Sequence, residues 1–322
     1  MLLFSFIFLL IFTYANTFAT NNNFLCNKLI KNNISLQRGK ELYNIKSNYY
    51  LDGPLNCKQI KFFFNNGYLI VENLINDNTL NKLHKLNFDK IEFNSWEKYN
   101  ILLSVANKIG EAVAQLTPIV SHGDEDLHIL KDALYIYDGC KNENINCYEW
   151  HIDNKVFWPC DDNSIGPGIN AWLTLDNIDV NGGGLCIAPS SHSIKFLDCR
   201  DEISKGSGKL SLNLKKKLDN ICFAPILNAG DVILTTRYLF HRTSEFNNPE
   251  KSTKKKRYIV RYMPSSSIMN GMSKLSINNK YPNKTIKSLN EKGKYKNKFP
   301  IIKLKKKLIK KYNYDFNDFY IK

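Results

Sequence analysis

The segment Trp150-His151-Ile152-Asp153, together with His241 ninety residues later, sets the strongest constraint on how this chain can fold. Residues i and i+2 of a strand point to one side, so His151 and Asp153 share a face while Ile152 turns to the opposite layer. Two imidazoles and one carboxylate brought together form the donor set of a non-haem Fe(II) centre, in which three protein ligands leave three octahedral positions open. Such a centre needs a fold that returns His241 to the same spot. Taken alone, H-x-D also suits a polar turn, so its surroundings must decide.

Those surroundings form an ordered series. Phe157-Trp158-Pro159 follows the H-x-D pair, then Asn170-Ala171-Trp172-Leu173-Thr174-Leu175 alternates as a strand does. Asn181-Gly182-Gly183-Gly184-Leu185 runs into Ile187-Ala188-Pro189-Ser190-Ser191-His192. Gly230-Asp231-Val232-Ile233-Leu234 opens a strand that leads to Phe240-His241-Arg242-Thr243-Ser244, and Arg257-Tyr258-Ile259-Val260-Arg261-Tyr262 is a further β-rich run. Upstream, Phe62 to Val71 reads as an opening strand followed by helix-forming sequence.

In order and content these motifs, from about Phe62 to about Pro264, resemble the phytanoyl-CoA dioxygenase family of Fe(II)/2-oxoglutarate-dependent oxygenases. The resemblance implies that His151, Asp153 and His241 ligate iron and that Arg257 holds the distal carboxylate of 2-oxoglutarate, for which a planar guanidinium fork is suited. A Lys-rich insert, Asn247 to Lys256, delays that arginine relative to the family pattern. Arg261 is the competing candidate, on the same strand face and roughly 13 Å away at about 3.3 Å per residue. Arg257 is preferred because it opens the strand expected to pair beside His241; Thr243 or Ser244 would add a hydroxyl to the same carboxylate. The implied reaction consumes O₂ and 2-oxoglutarate, releases succinate and CO₂ and hydroxylates a substrate, with ascorbate as a supporting reductant. Related halogenases lack the ligating carboxylate; its presence as Asp153 favours hydroxylation.

Other motif residues carry plainer readings. The three glycines at 182–184 precede no helix signal and read as a hairpin turn rather than a phosphate loop. His192 takes a structural role, and His84, His122 and His128 are ordinary surface or packing residues. Trp172 and Trp158 build the barrel core or the pocket mouth, while Trp150 and Tyr135 are candidates for the substrate side.

The remaining sequence bounds compartment and partners. Residues 1–19 are almost entirely apolar and read as a secretory signal peptide, with an uncleaved membrane anchor as the rival. Residues 20–57 form a basic, Asn/Lys-rich leader or spacer: between 21 and 51, five basic residues face only Glu41. A plastid-type organelle, the ER lumen and secretion are the destinations this allows. The net charge is +15, but fifteen lysines and three acidic residues lie between Ser265 and Lys322, so most of the excess sits in that extension. The domain from 58 to 264 has little basic surplus, which argues against nucleic-acid binding. In the 265–322 extension, Ile301, Leu304 and Leu308 share a helical face among lysines, which would allow weak contact with an anionic membrane surface. The eight cysteines contain no C-x-x-C pair, so a zinc site is not expected; Cys140 and Cys147 would bridge in an oxidising lumen.

Short strands with Gly/Pro turns suggest a mainly β jelly roll with flanking helices (α+β), and the resemblance implies a double-stranded β-helix with iron between its sheets. Strands are expected over 127–137, 169–175, 185–188, 232–235 and 257–262, helices over 76–86 and 96–116. Residues 195–222 are expected as an insertion over the pocket mouth. The expected function is hydroxylation of a small organic substrate, a lipid or acyl derivative among the options, by a monomeric enzyme. A non-catalytic 2-oxoglutarate- or metal-binding protein and a protein hydroxylase are the alternatives.

Overall fold

The computed structural model describes residues 49–50, 52–117, 125–137, 149–153, 168–192, 210–247, 254–269, 284–291, 295–304 and 310–311. The apolar N-terminal segment, the leader up to residue 48, His122, Cys140, Cys147, Trp158, most of the 195–222 insertion, the centre of the Lys-rich insert, Leu308 and the chain end beyond 311 lie outside the described residues.

The first described helix corrects an expectation. Phe62 to Asn66 is not strand: after the two-residue strand β1 (Tyr49–Tyr50), helix α1 spans Cys57–Asn66, and only Tyr68–Val71 is extended, as β2. The helix is specified at both ends. Asn56 and Gln59 form a reciprocal capping box, and Gly67 closes the last turn at φ 78°, in the left-handed region. A Cβ on Gly67 would lie 2.4 Å from His192 Nδ1, so glycine is needed for space as well as torsion. Ile60, Phe63 and Phe64 fall on one face at helical spacing and are buried. Helix α2 (Asp77–His84) is capped by the Asn76 side chain. A 3₁₀ turn at Ser95–Glu97 precedes helix α3 (Asn100–Gln115), whose Leu102, Val105, Ala106 and Ile109 are fully or almost fully buried. Burying each large aliphatic side chain there contributes about 1.5–3 kcal/mol.

The larger sheet is antiparallel and six-stranded. Its order is β2 (Tyr68–Val71), β7 (Val232–Thr236), β5 (Ile169–Thr174), β9 (Lys255–Pro264), β4 (Leu127–Tyr137) and β3 (Glu92–Phe93). Its outer face carries the helices: Tyr258 and Tyr262 on β9 bond the Leu102 and Ala106 carbonyls of α3. The smaller layer is built on β6 (Leu185–Ile187) paired with β8 (His241–Thr243), extended by single bridges from His151 to His241 and from Ile187 to Phe223. Between the layers lies an apolar core that includes Tyr68, Trp172, Ile178, Leu185, Ile187, Ile233 and Leu239. These are the two layers of a double-stranded β-helix.

Strand β9 pairs with β5 and β4, not beside His241, whose strand lies in the opposite layer. Between β8 and β9 the chain passes from the smaller layer to the larger sheet. Helix α4 (Leu212–Asp219) covers the smaller layer, and its Leu214 and Leu218 pack on Trp150, Ile152 and Phe240. Residues 296–304 are not helical. Ile302 N–H donates to the Leu127 carbonyl and Ile129 N–H to the Pro300 carbonyl, laying this segment along β4. Tyr295 and Phe299 are buried with Leu130, Met263 and residues of helix α5 (Ile286–Glu291). The backbone groups offered by the start of β4 draw Ile301 and Leu304 into an extended path despite their helical spacing. Among the described residues, no helix is long and apolar enough to cross a membrane.

Candidate metal centre

The two ligand-bearing segments meet through their backbones. His151 and His241 exchange hydrogen bonds, N to O, at 3.1 and 3.0 Å as an antiparallel pair, which sets their rings 4.4 Å apart. Directly paired residues leave a sheet on one face, so this bridge aims both imidazoles the same way. Asp153 follows two residues after His151 and arrives from the side. One donor atom from each of His151, Asp153 and His241 lies within 4.8 Å of the others.

Each donor is held from behind. His151 Nδ1 lies 2.8 Å from the Glu149 carbonyl and His241 Nδ1 lies 2.9 Å from the Leu239 carbonyl. Carbonyls accept, so Nδ1 carries a proton in each ring and Nε2 is the nitrogen turned to the shared space. Asp153 Oδ2 accepts from Asn170 Nδ2 at 2.7 Å and from Arg261 at 3.2 Å. Its other oxygen, Oδ1, stands 3.9 Å from His151 Nε2 and 3.8 Å from His241 Nε2. That is the geometry of a carboxylate offering one oxygen to an ion while the second is occupied.

Charge states agree with this. Burial works to raise the Asp153 carboxyl, but Arg261, the two imidazoles and the Asn170 amide outweigh it and hold the group at about 2. Burial and the neighbouring His151 push His241 down to about 4, against the pull of Asp153. At neutral pH the site therefore holds an ionised carboxylate and a neutral His241, the forms that bind a cation.

Arg257 stands further along the inner face of β9, buried, with its guanidinium between 5.2 and 5.3 Å from the ring centres of Tyr135, Tyr137 and Trp172. Its strand partners are Thr174 and Tyr135, whereas those of Arg261 are Asn170 and Lys131. The two arginines thus divide the inner face: Arg261 is at the Asp153 carboxylate, and Arg257 is about 13 Å along the strand. Thr243, two residues after His241, shares its face and is buried. Ser244 falls on the other face, where its hydroxyl reaches the Glu245 carbonyl at 3.5 Å.

The remaining candidates separate clearly. Trp150 turns away from the donors, its Nε1 bonding Asp219 Oδ1 at 2.8 Å within the α4 cluster. Tyr135 flanks Arg257, and Trp172 lies in the inter-sheet core. His192 Nε2 lies 3.1 Å from the Phe64 carbonyl, tying the loop after β6 to α1. His128 Nδ1 is 2.8 Å from the Phe299 carbonyl, and His84 Nε2 is 2.5 Å from the Leu175 carbonyl. Gly182 and Gly183 occupy a turn at φ 98° and 79°, where a Cβ on Gly182 would strike the Glu245 carbonyl. Asn170 and the Arg261–Asp153 contact were not foreseen from sequence, although Asn170 opens the alternation Asn170, Trp172, Thr174 that marks one face of β5.

No family model matches the sequence, and no curated protein matches it. Solved structures do. SnoK, a non-haem, alpha-ketoglutarate-dependent carbocyclase from nogalamycin biosynthesis, is 14% identical, with the match covering 77% of this chain and 96% of that chain at a TM-score of 0.54. EctD from S. alaskensis, solved with 2-oxoglutarate and 5-hydroxyectoine, is 16% identical over 76% of this chain and 90% of that chain, TM-score 0.54. HygX from Streptomyces hygroscopicus, solved with iron bound, is 14% identical over 73% of this chain and 99% of that chain, TM-score 0.51. The chain has the double-stranded β-helix of these enzymes.

Proposed function

We propose that this chain is an Fe(II)- and 2-oxoglutarate-dependent oxygenase of the phytanoyl-CoA dioxygenase type that hydroxylates a small organic substrate. The observation that carries the reading is the convergence of His151 Nε2, Asp153 Oδ1 and His241 Nε2, each fixed from behind by a hydrogen bond on its other polar atom. Mixed imidazole and carboxylate donors with open positions fit a first-row divalent ion. The chemistry supplied there is oxidative decarboxylation of 2-oxoglutarate to succinate and CO₂, coupled to oxygen insertion into a C–H bond. The order of motifs from Phe62 to Pro264 supports the family placement.

The chain's own residues have distinct tasks in this reading. His151, Asp153 and His241 hold the ion, and Asn170 and Arg261 keep Asp153 ionised and oriented. Arg257 pairs with the distal carboxylate of 2-oxoglutarate, its fork steadied by the Tyr135, Tyr137 and Trp172 rings, and Thr243 adds a hydroxyl. The apolar core between the sheets keeps bulk water from the reacting atoms.

Anaerobic titration of the purified protein with Fe(II) and 2-oxoglutarate tests this. The visible charge-transfer band of the chelate is expected, with slow succinate release on admitting O₂ and loss of both in His151→Ala and Asp153→Ala. Folded protein that forms the band but releases no succinate would be a non-catalytic binding protein of the same fold, and folded protein that gives neither signal would refute the oxygenase reading. The apolar 1–19 segment supports secretory targeting, a proposal that fails if a reporter fused to residues 1–57 stays in the cytosol.

A further inference from the structure

We propose that Lys131 and Arg261 form an anion-holding subsite beside the metal centre, one that takes a carboxylate on a partly apolar molecule. The inference rests on the oxygenase reading and adds a substrate class to it.

Lys131 on β4 and Arg261 on β9 are direct partners in the antiparallel pair, so their side chains leave the sheet on the same inner face. Arg261 reaches Asp153 Oδ2 at 3.2 Å and answers that charge. Lys131 is 8% exposed, and among the described residues it makes no hydrogen bond or ion pair. Its Nζ lies 4.1 Å from the centre of the Phe93 ring. A cation is attracted to a ring face, but a ring does not replace an anion. Asp132, the next residue, cannot serve: its carboxylate turns to the outer face, where Oδ2 accepts from Ser95, the Trp96 amide and Tyr258 at 2.8–3.0 Å.

Among the described residues, the inner face near the donors holds two cations, Lys131 and Arg261, and one carboxylate, Asp153. A divalent ion would deepen the excess, and the keto-acid end of 2-oxoglutarate would offset only part of it. Burial, then repulsion from Arg261, lowers Lys131 to about 8, which still leaves it mostly protonated at neutral pH. Phe93 beneath the ammonium is 51% exposed on the two-residue edge strand β3. A cation set over a half-exposed aromatic ring suits a carboxylate with an apolar body. With the distal carboxylate of 2-oxoglutarate at Arg257, the carboxylate taken here is the primary substrate's.

The test is calorimetric titration of the full-length protein, loaded with redox-inert Zn(II) and 2-oxoglutarate, with octanoate and with octanamide. Wild type should bind octanoate at least tenfold more tightly than octanamide. Lys131→Met should level the two, and Lys131→Arg should keep the difference. If Lys131→Met instead weakens 2-oxoglutarate at least tenfold, the lysine serves the cosubstrate and the proposal is overturned. The proposal is overturned if wild type does not prefer octanoate, or if Lys131→Met retains the preference, in either case with 2-oxoglutarate affinity unchanged. Failure of the oxygenase reading registers separately, as absence of metal-dependent 2-oxoglutarate binding by wild type.

Discussion

Asn170→Ala isolates the support behind the carboxylate ligand. The substitution removes the 2.7 Å bond to Asp153 Oδ2 and leaves the 3.2 Å bond from Arg261 in place. A hydrogen bond to a charged group contributes about 1.5–3 kcal/mol. Because Arg261 still holds the same oxygen, the lower end applies, and about 1.5 kcal/mol corresponds to roughly a tenfold change in an equilibrium constant. That agrees with the 10–100-fold loss typical when the partner of a metal ligand is removed. Co(II) affinity, measured by competition with a chelator at pH 7.5, should therefore weaken about tenfold, with the circular dichroism spectrum unchanged. An affinity within twofold of wild type would refute the reasoning, since Asp153 would then be oriented by Arg261 alone.

Arg261→Met should act on stability more than on binding. Leaving the buried Asp153 carboxylate without its counter-charge should cost on the order of 3–5 kcal/mol in metal-free protein, read by urea unfolding and partly recovered on adding Zn(II). Gly67→Ala forces a left-handed torsion on alanine and a clash with His192; a loss of about 1–3 kcal/mol is expected, and a neutral result would mean that the helix end rearranges freely. For His241 the folded value lies below the ordinary one, so the unfolded chain binds the extra proton; the contribution is complete above about pH 6.5 and is lost as pH falls towards 4. That loss is on the order of 3 kcal/mol in metal-free protein. Asp132, raised to about 6 chiefly by burial, acts with the opposite sign over an overlapping range, so the quantity to follow is the stability difference between wild type and His241→Gln from pH 7 to 4. A difference that does not change with pH would mean that His241 is not held neutral by burial.

The strands were legible where alternation met turn residues. The runs expected from 127, 169, 185 and 232 all begin where β4, β5, β6 and β7 begin, because one inner and one outer face impose a period of two. Helix α1 was misread because Phe62-Phe63-Phe64 looks strand-like, while the decisive signals, Asn56 with Gln59 and then Gly67, lie at its ends. The convergence of His151, Asp153 and His241 could be expected from residue types and order. Their supports could not. Which face Arg261 and Lys131 occupy depends on the register of β9 against two neighbours, and on the irregularity between Ile129 and Lys131. The layer to which β9 belongs depends on an insert whose length says nothing of its path.

The backbone bridge between His151 and His241 closes a loop of ninety residues with only two hydrogen bonds. Closing a loop of that length carries an entropic cost that short-range contacts do not repay, so this join should form late in folding and part early in unfolding. An ion gripped by both segments would work as a clasp on that join, present only in the closed chain. Metal supply would then govern how long the protein survives protease attack as well as whether it can turn over.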